Sequence, residues 1–368
     1  MSMLAGIRVL EISDALVEFG GRMLAEMGAE VISLADPRPR PKGREIAWHH
    51  GKRRVLAGDA DIPALRELVL GADIVIEGRA HGARFDLEAM IAESTGVIHV
   101  IARPFSPNGP QAGAPTTDLT LMAQSGLMTV IGDPEKPPLR LPGEQAYALT
   151  GIQAATAALM ALHSRRCTGE GQRVEVSALQ SATLANYREA IMYEWTGRIG
   201  RRTGNRLVRG KSGVRQVWPC ADGFVTWSMI DNPAMMRAVV GVMEAQGAAG
   251  ELAEVDWDAI LVADMDQAVI DRWQAIVGEF FARHSREQLG RWSLEKGWGL
   301  SVINNPEEVQ ANAHLASRGL FVDVADPATG RDTRLPGPLF GHDADGPAPA
   351  RRLEAPMPLA EFSGWRPR

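Results

Sequence analysis

Few residue groupings in this chain have both the types and the spacing that chemistry needs. The turn after the first strand-like run reads Asp14-Ala15-Leu16-Val17-Glu18-Phe19-Gly20-Gly21. A dinucleotide fold places G-x-G-x-x-G there, so that the backbone can approach a pyrophosphate. The pattern is missing, which argues against a nicotinamide enzyme. Gly210-Lys211-Ser212 has the end of a phosphate loop, but the first glycine of G-x-x-x-x-G-K-[ST] falls on Asn205. His49 and His50 are neighbours and cannot share one face of a helix or strand. His81, His99, His163, His284, His314 and His342 are scattered without ligand spacing, so no metal is expected. Gln124-Ser125-Gly126 lacks the first glycine of a serine nucleophile elbow.

The elements that must position any site alternate strand and helix. Ile7–Ser13, Glu30–Leu34, Asp73–Ile76, Val97–Ala102 and Gln172–Ser177 are β-rich runs. Gly20–Met27, Ile62–Leu70, Asp86–Ala92, Gln145–His163 and Leu179–Trp195 read as helices, the fourth with an Ala-rich face for close packing. Strands separated by helices imply βαβ units and a parallel sheet. The Pro/Gly-rich stretch Pro104–Pro115 lies beyond a strand end, where open sheets carry site loops, though plain surface loops have the same composition. Arg198–Arg215 holds seven basic residues and several glycines and reads as a linker or a phosphate-facing loop. Val214–Pro219 and Phe224–Ser228, joined through Asp222-Gly223, predict a hairpin. Phe321–Val324, with a turn at 327–330, starts a return strand, and the Pro/Ala/Gly-rich tail after Pro336 is expected to wrap the surface.

Composition bounds the class. The chain has 368 residues and a formal net charge of −6, with 45% hydrophobic and 23% charged residues. That length implies about two domains with ample material for a core. Mild acidity argues against a nucleic-acid partner. The longest apolar runs, such as Ala154–Leu162, are shorter than the roughly 18–20 residues of a membrane span. Met1–Gly6 leads straight into a strand, with no basic region of a signal peptide. Cys167 and Cys220 form no spacing motif and fit a reducing, cytoplasmic setting.

A series of segments in fixed order carries a resemblance. Arg8-Val9-Leu10-Glu11 is followed by Leu24-Ala25-Glu26-Met27-Gly28-Ala29-Glu30-Val31-Ile32, Gly51-Lys52-Arg53 and Ala72-Asp73-Ile74-Val75-Ile76-Glu77. Then come Asn108-Gly109-Pro110, Asp118 with Gln124-Ser125-Gly126-Leu127-Met128, and Thr168-Gly169-Glu170-Gly171-Gln172-Arg173-Val174-Glu175-Val176-Ser177. Arg202-Thr203-Gly204-Asn205, Cys220-Ala221-Asp222-Gly223 and Ser317-Arg318-Gly319-Leu320-Phe321 complete it. Over nearly its whole length the chain resembles the class III CoA-transferase (CaiB/BaiF) family, which includes formyl-CoA transferase, carnitine CoA-transferase and α-methylacyl-CoA racemase. The T-G-x-G-Q-x-V-x-V-S block is the most specific piece.

The resemblance implies an α/β fold: a large Rossmann-like parallel-sheet domain plus a smaller α+β domain, in an interlocked dimer. The expected division is residues 1–200 for the first part of the large CoA-binding domain, 201–215 for a linker, 216–318 for the small domain, and 319–368 for the return segment and tail. Coenzyme A is implied as substrate, with a carboxylic acid as the second one. In the transferases an Asp carboxylate attacks the acyl-CoA thioester, which splits one hard exchange into easier covalent steps. The racemases move an α-proton with His and Asp instead.

At the family's Asp position, at the start of the long helix leading into T-G-x-G-Q, this chain has Tyr147. A phenol with an ordinary pKa near 10 is a poor substitute for a carboxylate. Glu144 lies one helical turn earlier and shares its face. It is either a displaced carboxylate or an acidic residue suited to a helix N-terminus. Asp118 is present, but Thr117 stands where a racemase carries His. For CoA, Arg38, Arg79, Arg84 and Lys52 are the candidate phosphate contacts, through charge-assisted hydrogen bonds; Arg38, Arg79 and Arg84 read equally well as solvated surface cations. The family's cation after the second strand matches Asp36 here, and His50 precedes Gly51-Lys52-Arg53 where Asn is usual.

Three readings follow. The first is a subunit without the nucleophile in a heteromeric transferase, whose Asp-bearing partner has the same fold. The closing segment Glu354–Trp365, which resembles the linker of fused two-domain members, agrees with it. The second is a stand-alone isomerase or lyase on acyl-CoA using Tyr147, Glu144 or Asp118. The third is a CoA-binding pseudoenzyme.

Overall fold

Strands Arg8–Ile12, Glu30–Leu34 and Ile74–Gly78 are buried almost end to end. Burial on both faces is the signature of inner strands in a parallel sheet covered by helices. A computed structural model bears this out; it describes residues 2–36, 38, 42–81, 83–326, 329–337 and 351–367.

The elements run β1 (Arg8–Ile12), α1 (Glu18–Glu26), β2 (Glu30–Leu34), α2 (Lys42–His49), β3 (Arg53–Leu56), α3 (Ile62–Leu70), β4 (Ile74–Gly78), α4 (Leu87–Ile91) and β5 (Ile98–Arg103). Then follow α5 (Asp118–Gln124), α6 (Leu127–Val130), α7 (Gln145–Thr168), β6 (Arg173–Ser177), α8 (Ala178–Leu184) and α9 (Tyr187–Thr196). After these come β7 (Arg206–Arg209), β8 (Ser212–Arg215), β9 (Val217–Cys220), β10 (Gly223–Thr226), α10 (Pro233–Glu244), α11 (Gln267–Ala282), α12 (Arg286–Lys296), β11 (Ser301–Val302) and α13 (Pro306–Gln310). The chain closes with α14 (Ala313–Ser317), β12 (Phe321–Asp326), β13 (Arg331–Pro336), β14 (Arg351–Arg352) and β15 (Met357–Pro358).

The chain divides into two compact units. Residues 1–129, 140–200 and 312–368 form one, and residues 130–139 and 201–311 form the other. The first unit is built on a seven-stranded sheet of order β15-β3-β2-β1-β4-β5-β6, whose neighbouring strands are all parallel. Leu10, Ile12, Ile32, Leu34, Val55, Leu65 and Val75 are in its core. The second unit packs α10, α11 and α12 around β9-β10-β11; Trp218 meets Phe281 edge-on at 5.5 Å.

The T-G-x-G-Q block has a mechanical role. Gly169 ends α7 in the left-handed conformation, with φ +79°, and its N–H bonds Arg165 O at 2.8 Å. Such a φ favours glycine. A Cβ on Gly171 would lie 2.1 Å from the carbonyl oxygen of Val97, so only glycine lets the chain enter β6 there.

Several elements depart from the sequence expectation. Helix α2 and strand β3 were not foreseen, because their basic composition masks the pattern. The helix expected over Leu179–Trp195 is two helices, broken at Ala185-Asn186; Asn is a weak helix former that favours such junctions. The stretch 201–215, read as a linker, carries the β7–β8 hairpin and clusters with the second unit. Gly210-Lys211 is the turn of that hairpin, with Gly210 at φ +56°, so the incomplete phosphate loop serves as a β-turn. Of the turn expected at 327–330, residues 327 and 328 lie outside the described residues. So do 338–350 of the tail, while β15 beyond them adds an edge strand to the large sheet.

Candidate functional site

The chain leaves β1 towards β2 on one side of the sheet and later resumes at β4 on the other. Loops diverge from such a switch point, and ligands of open α/β sheets bind beyond it. Ser13 and Asp14 follow β1, Asp36 and Arg38 follow β2, and Arg79 follows β4. Asp14 is buried and accepts the Leu16 N–H at 3.0 Å. Burial pushes its carboxyl above the ordinary Asp range.

Helix α7 starts at the same place. Its N-cap residue, Glu144, makes no side-chain cap. The cap comes from α5 instead: Asp118 Oδ1 accepts the backbone N–H of Tyr147 at 3.1 Å. A carboxylate there meets the unpaired N–H groups and the positive end of the helix dipole. Even so, burial raises the Asp118 pKa. The Tyr147 phenol is also pushed up, by burial first and then by the charges of Asp118 and Asp14. Tyr147 is therefore a neutral phenol at physiological pH.

Arg44, on α2, ties these parts together. Its Nη1 donates to Glu144 Oε1 at 2.7 Å and its Nη2 to Glu18 Oε2 at 3.1 Å. The guanidinium lies 4.4 Å from the Trp48 ring centroid and 6.0 Å from that of Tyr147. Glu18 is fully buried and also accepts from Ser13 Oγ at 2.8 Å. His49 Nε2 lies 3.6 Å from Glu18 Oε2. Burial, with the Lys52 charge adding to it, lowers the His49 pKa to about 4. Below this level, Lys52 Nζ donates to Glu11 Oε2 at 2.6 Å and to the Glu18 carbonyl at 2.7 Å, and Ser33 Oγ donates to Glu11 Oε1 at 2.7 Å.

The structure brings Tyr147, Glu144 and Asp118 together at one helix end; the sequence spacing linked only Glu144 to Tyr147, and Asp118 joins them across 29 residues. It divides the four expected cations. Arg38, half exposed, bonds Asp36 at 2.8 Å and lies 3.9 Å from Asp14. Arg84 donates to the Ala35 carbonyl at 3.1 Å, so both stand at the end of β2. Arg79 is held by Glu77 at 2.8 Å and Glu88 at 3.1 Å, and Glu77 also meets His99 Nε2 at 3.1 Å. Arg79 and Arg84 line a cavity of about 400 Å³ with Phe85 and Asp86. Lys52, grouped with them from sequence, stands elsewhere: its ammonium is fully buried and its charge is committed to Glu11. A long cation can snorkel to a ligand, but here a buried carboxylate meets it first.

Sequence reasoning missed Glu11, Glu18, Arg44 and Trp48. The available signal was the i, i+4 spacing of Arg44 and Trp48, which puts a guanidinium and an indole on one helix face. Among the described residues, no three His, Cys, Asp or Glu side chains converge as metal ligands. Among them too, no helix is long and apolar enough to cross a membrane.

The chain is 27% identical over 359 residues to the succinyl-CoA:(R)-benzylsuccinate CoA-transferase subunit BbsE of Thauera aromatica, covering 90% of this chain and 86% of the relative. It is 29% identical over 351 residues to the succinate–glutarate CoA-transferase of Agrobacterium fabrum, covering 87% and 85%. The crystal structure of a CaiB/BaiF family protein from Brucella suis has the same fold, with a TM-score of 0.76 at 22% identity over 94% of each chain. The sequence profile of CoA-transferase family III matches residues 4–358. With that match spanning nearly all of its length, the chain belongs to CoA-transferase family III.

Proposed function

We propose that this chain acts on acyl-CoA as the subunit lacking the nucleophile in a heteromeric family III CoA-transferase. The observation that carries the reading is Tyr147, a half-buried neutral phenol where the family's mechanism calls for a carboxylate. Neither neighbouring acid replaces it. Asp118 is bound to the α7 backbone, and Glu144 is paired with Arg44. The BbsE relative is itself named a subunit, which agrees with the reading.

In the proposed pair, an Asp of the partner chain attacks the thioester carbonyl carbon and CoA leaves as thiolate. The acyl group is then held as a mixed anhydride. The thiolate attacks the Asp carbonyl, releasing the first acid and leaving an aspartyl-CoA thioester. The acceptor carboxylate repeats the sequence in reverse, so no atom is lost. This chain supplies the CoA site: Arg38, Arg79 and Arg84 stand near the end of the sheet for the phosphates. Lys52 instead joins Glu11 of β1 to the Glu18 carbonyl of α1. The reading includes a cytoplasmic location, which suits two cysteines that form no disulfide, Cys167 and Cys220.

The test is coexpression with an Asp-bearing family III chain and a CoA-transfer assay from succinyl-CoA to dicarboxylic acids, the donors and acceptors named for the relatives. Activity of the pair, lost when the partner's Asp becomes Asn, supports the proposal. Full activity of this chain alone overturns it. CoA binding with no exchange in any pair favours a pseudoenzyme instead. A stand-alone enzyme that uses Tyr147 as a base is disfavoured by the raised pKa of its phenol.

A further inference from the structure

Arg44 is built as a clamp with one fixed side and one exchangeable side. Its Nη2 is bonded to Glu18, which is fully buried and held in turn by Ser13. Its face is laid against Trp48, which fixes the plane of the guanidinium. Its Nη1 is bonded to Glu144, whose side chain keeps 35% of its exposure and caps nothing on α7. Arg44 Nε is buried without a hydrogen-bond partner among the described residues. A guanidinium carries five N–H donors in a rigid plane, so Nη1 can change partner while Nη2 stays on Glu18.

Glu144 reaches this fork from 100 residues away in sequence. It is the partner nearest solvent, so a dissolved carboxylate can replace it without unburying Glu18. The clamp also stands beside Tyr147. The guanidinium carbon is 6.0 Å from the Tyr147 ring centroid. The two carboxyl carbons of a four-carbon diacid lie about 4 Å apart when extended, given C–C bonds near 1.5 Å. A short diacid therefore spans from the Tyr147 region to Arg44.

We propose that Arg44 binds the remote carboxylate of a short dicarboxylic acyl group, and that Glu144 holds its place until the substrate arrives. The inference rests on the acyl-CoA reading above and narrows its substrate class to diacids of four or five carbons. No bond is made or broken in this step; one carboxylate replaces another on Nη1.

The experiment is calorimetric titration of the full chain with succinyl-CoA and with butyryl-CoA, which has a methyl group in place of the remote carboxylate. Wild-type protein should bind succinyl-CoA about tenfold more tightly, the range expected for hydrogen bonds to a charged group. Glu144→Gln, which removes the competitor, should tighten succinyl-CoA several-fold further and leave butyryl-CoA unchanged. Arg44→Lys should erase the preference while keeping butyryl-CoA binding. Arg44→Lys also touches buried Glu18, so Glu144→Gln is the decisive variant where the former fails to fold. Equal binding of the two thioesters in wild type and in Glu144→Gln overturns the inference and leaves the acyl-CoA reading standing. Binding of neither thioester overturns both.

Discussion

The backbone N–H of Tyr147 donates to a carboxylate oxygen of Asp118 at 3.1 Å. Asp118 is thus part of the helix cap, and the Tyr147 phenol beside it is held protonated by burial and by the neighbouring carboxylates. Replacing Asp118 with Ala should cost about 1–2 kcal/mol of stability, the range for losing a good cap. Asp118→Asn should keep most of it, because Asn caps as well as Asp. Urea unfolding of the three proteins measures both effects.

Tyr147→Phe removes only the hydroxyl. If the partner chain supplies the nucleophile, CoA transfer by the pair should stay within about threefold of wild type. A loss of about a hundredfold or more, the size expected for a general acid–base group, would assign the phenol a chemical role.

Lys52 and Glu11 form a fully buried ion pair at 2.6 Å. Lys52→Met leaves the Glu11 charge buried without its cation and should destabilise by about 3–5 kcal/mol. The double variant Glu11→Leu with Lys52→Met removes both charges and should recover much of that loss. Chemical denaturation of the two variants measures the recovery; a double variant as unstable as the single one would contradict the pairing.

Helices α1 and α7 cross at Gly20 and Gly151. A Cβ on Gly151 would lie 2.8 Å from the Gly20 nitrogen and 3.1 Å from Phe19 Cβ. Both neighbours are held in place, so Gly151→Ala should force the helices apart at a cost of about 1–3 kcal/mol. It should also weaken CoA-ester binding, since Tyr147 lies one turn away; thermal unfolding and titration check the two effects.

His49 is neutral in the folded protein, with its pKa lowered to about 4 by burial. The unfolded chain binds a proton at about 6.5. Between these values the unfolded state holds more protons, so stability rises with pH. The His49 contribution is therefore present above about pH 6.5 and lost as pH falls towards 4. From pH 7 to pH 5 that loss is about 2 kcal/mol. His49→Gln should be less sensitive by that amount over the same interval, read from urea midpoints at the two pH values.

Sequence order alone made much of the frame legible. Strands β1, β2, β4, β5 and β6 follow from short β-rich runs. Helix α7 starts at Gln145 as expected, and β9 and β10 meet through Asp222-Gly223. These features are local: periodicity, caps and turn residues act over a few positions. Helix α2 was illegible because Lys42-Gly43-Arg44-Glu45 hides its apolar positions, and with it went Arg44 and Trp48. The spacing of Glu144 and Tyr147 was legible because residues three apart along a helix share a face.

The sequence by itself therefore determined the parallel sheet, the long helix with Tyr147 near its start, and the absence of Asp at that position. Only the tertiary structure decided which charges meet. Lys52 reads like Arg38 or Arg79 in a list of cations, yet it finds Glu11 across 41 residues and is buried. Arg44 finds Glu144 across 100 residues and stays near solvent. Ionic residue types carry no label for their partners. A charge far from its partner in sequence is given one by the packing of the sheet and helices, and burial then sets whether that charge supports the fold or remains open to a ligand.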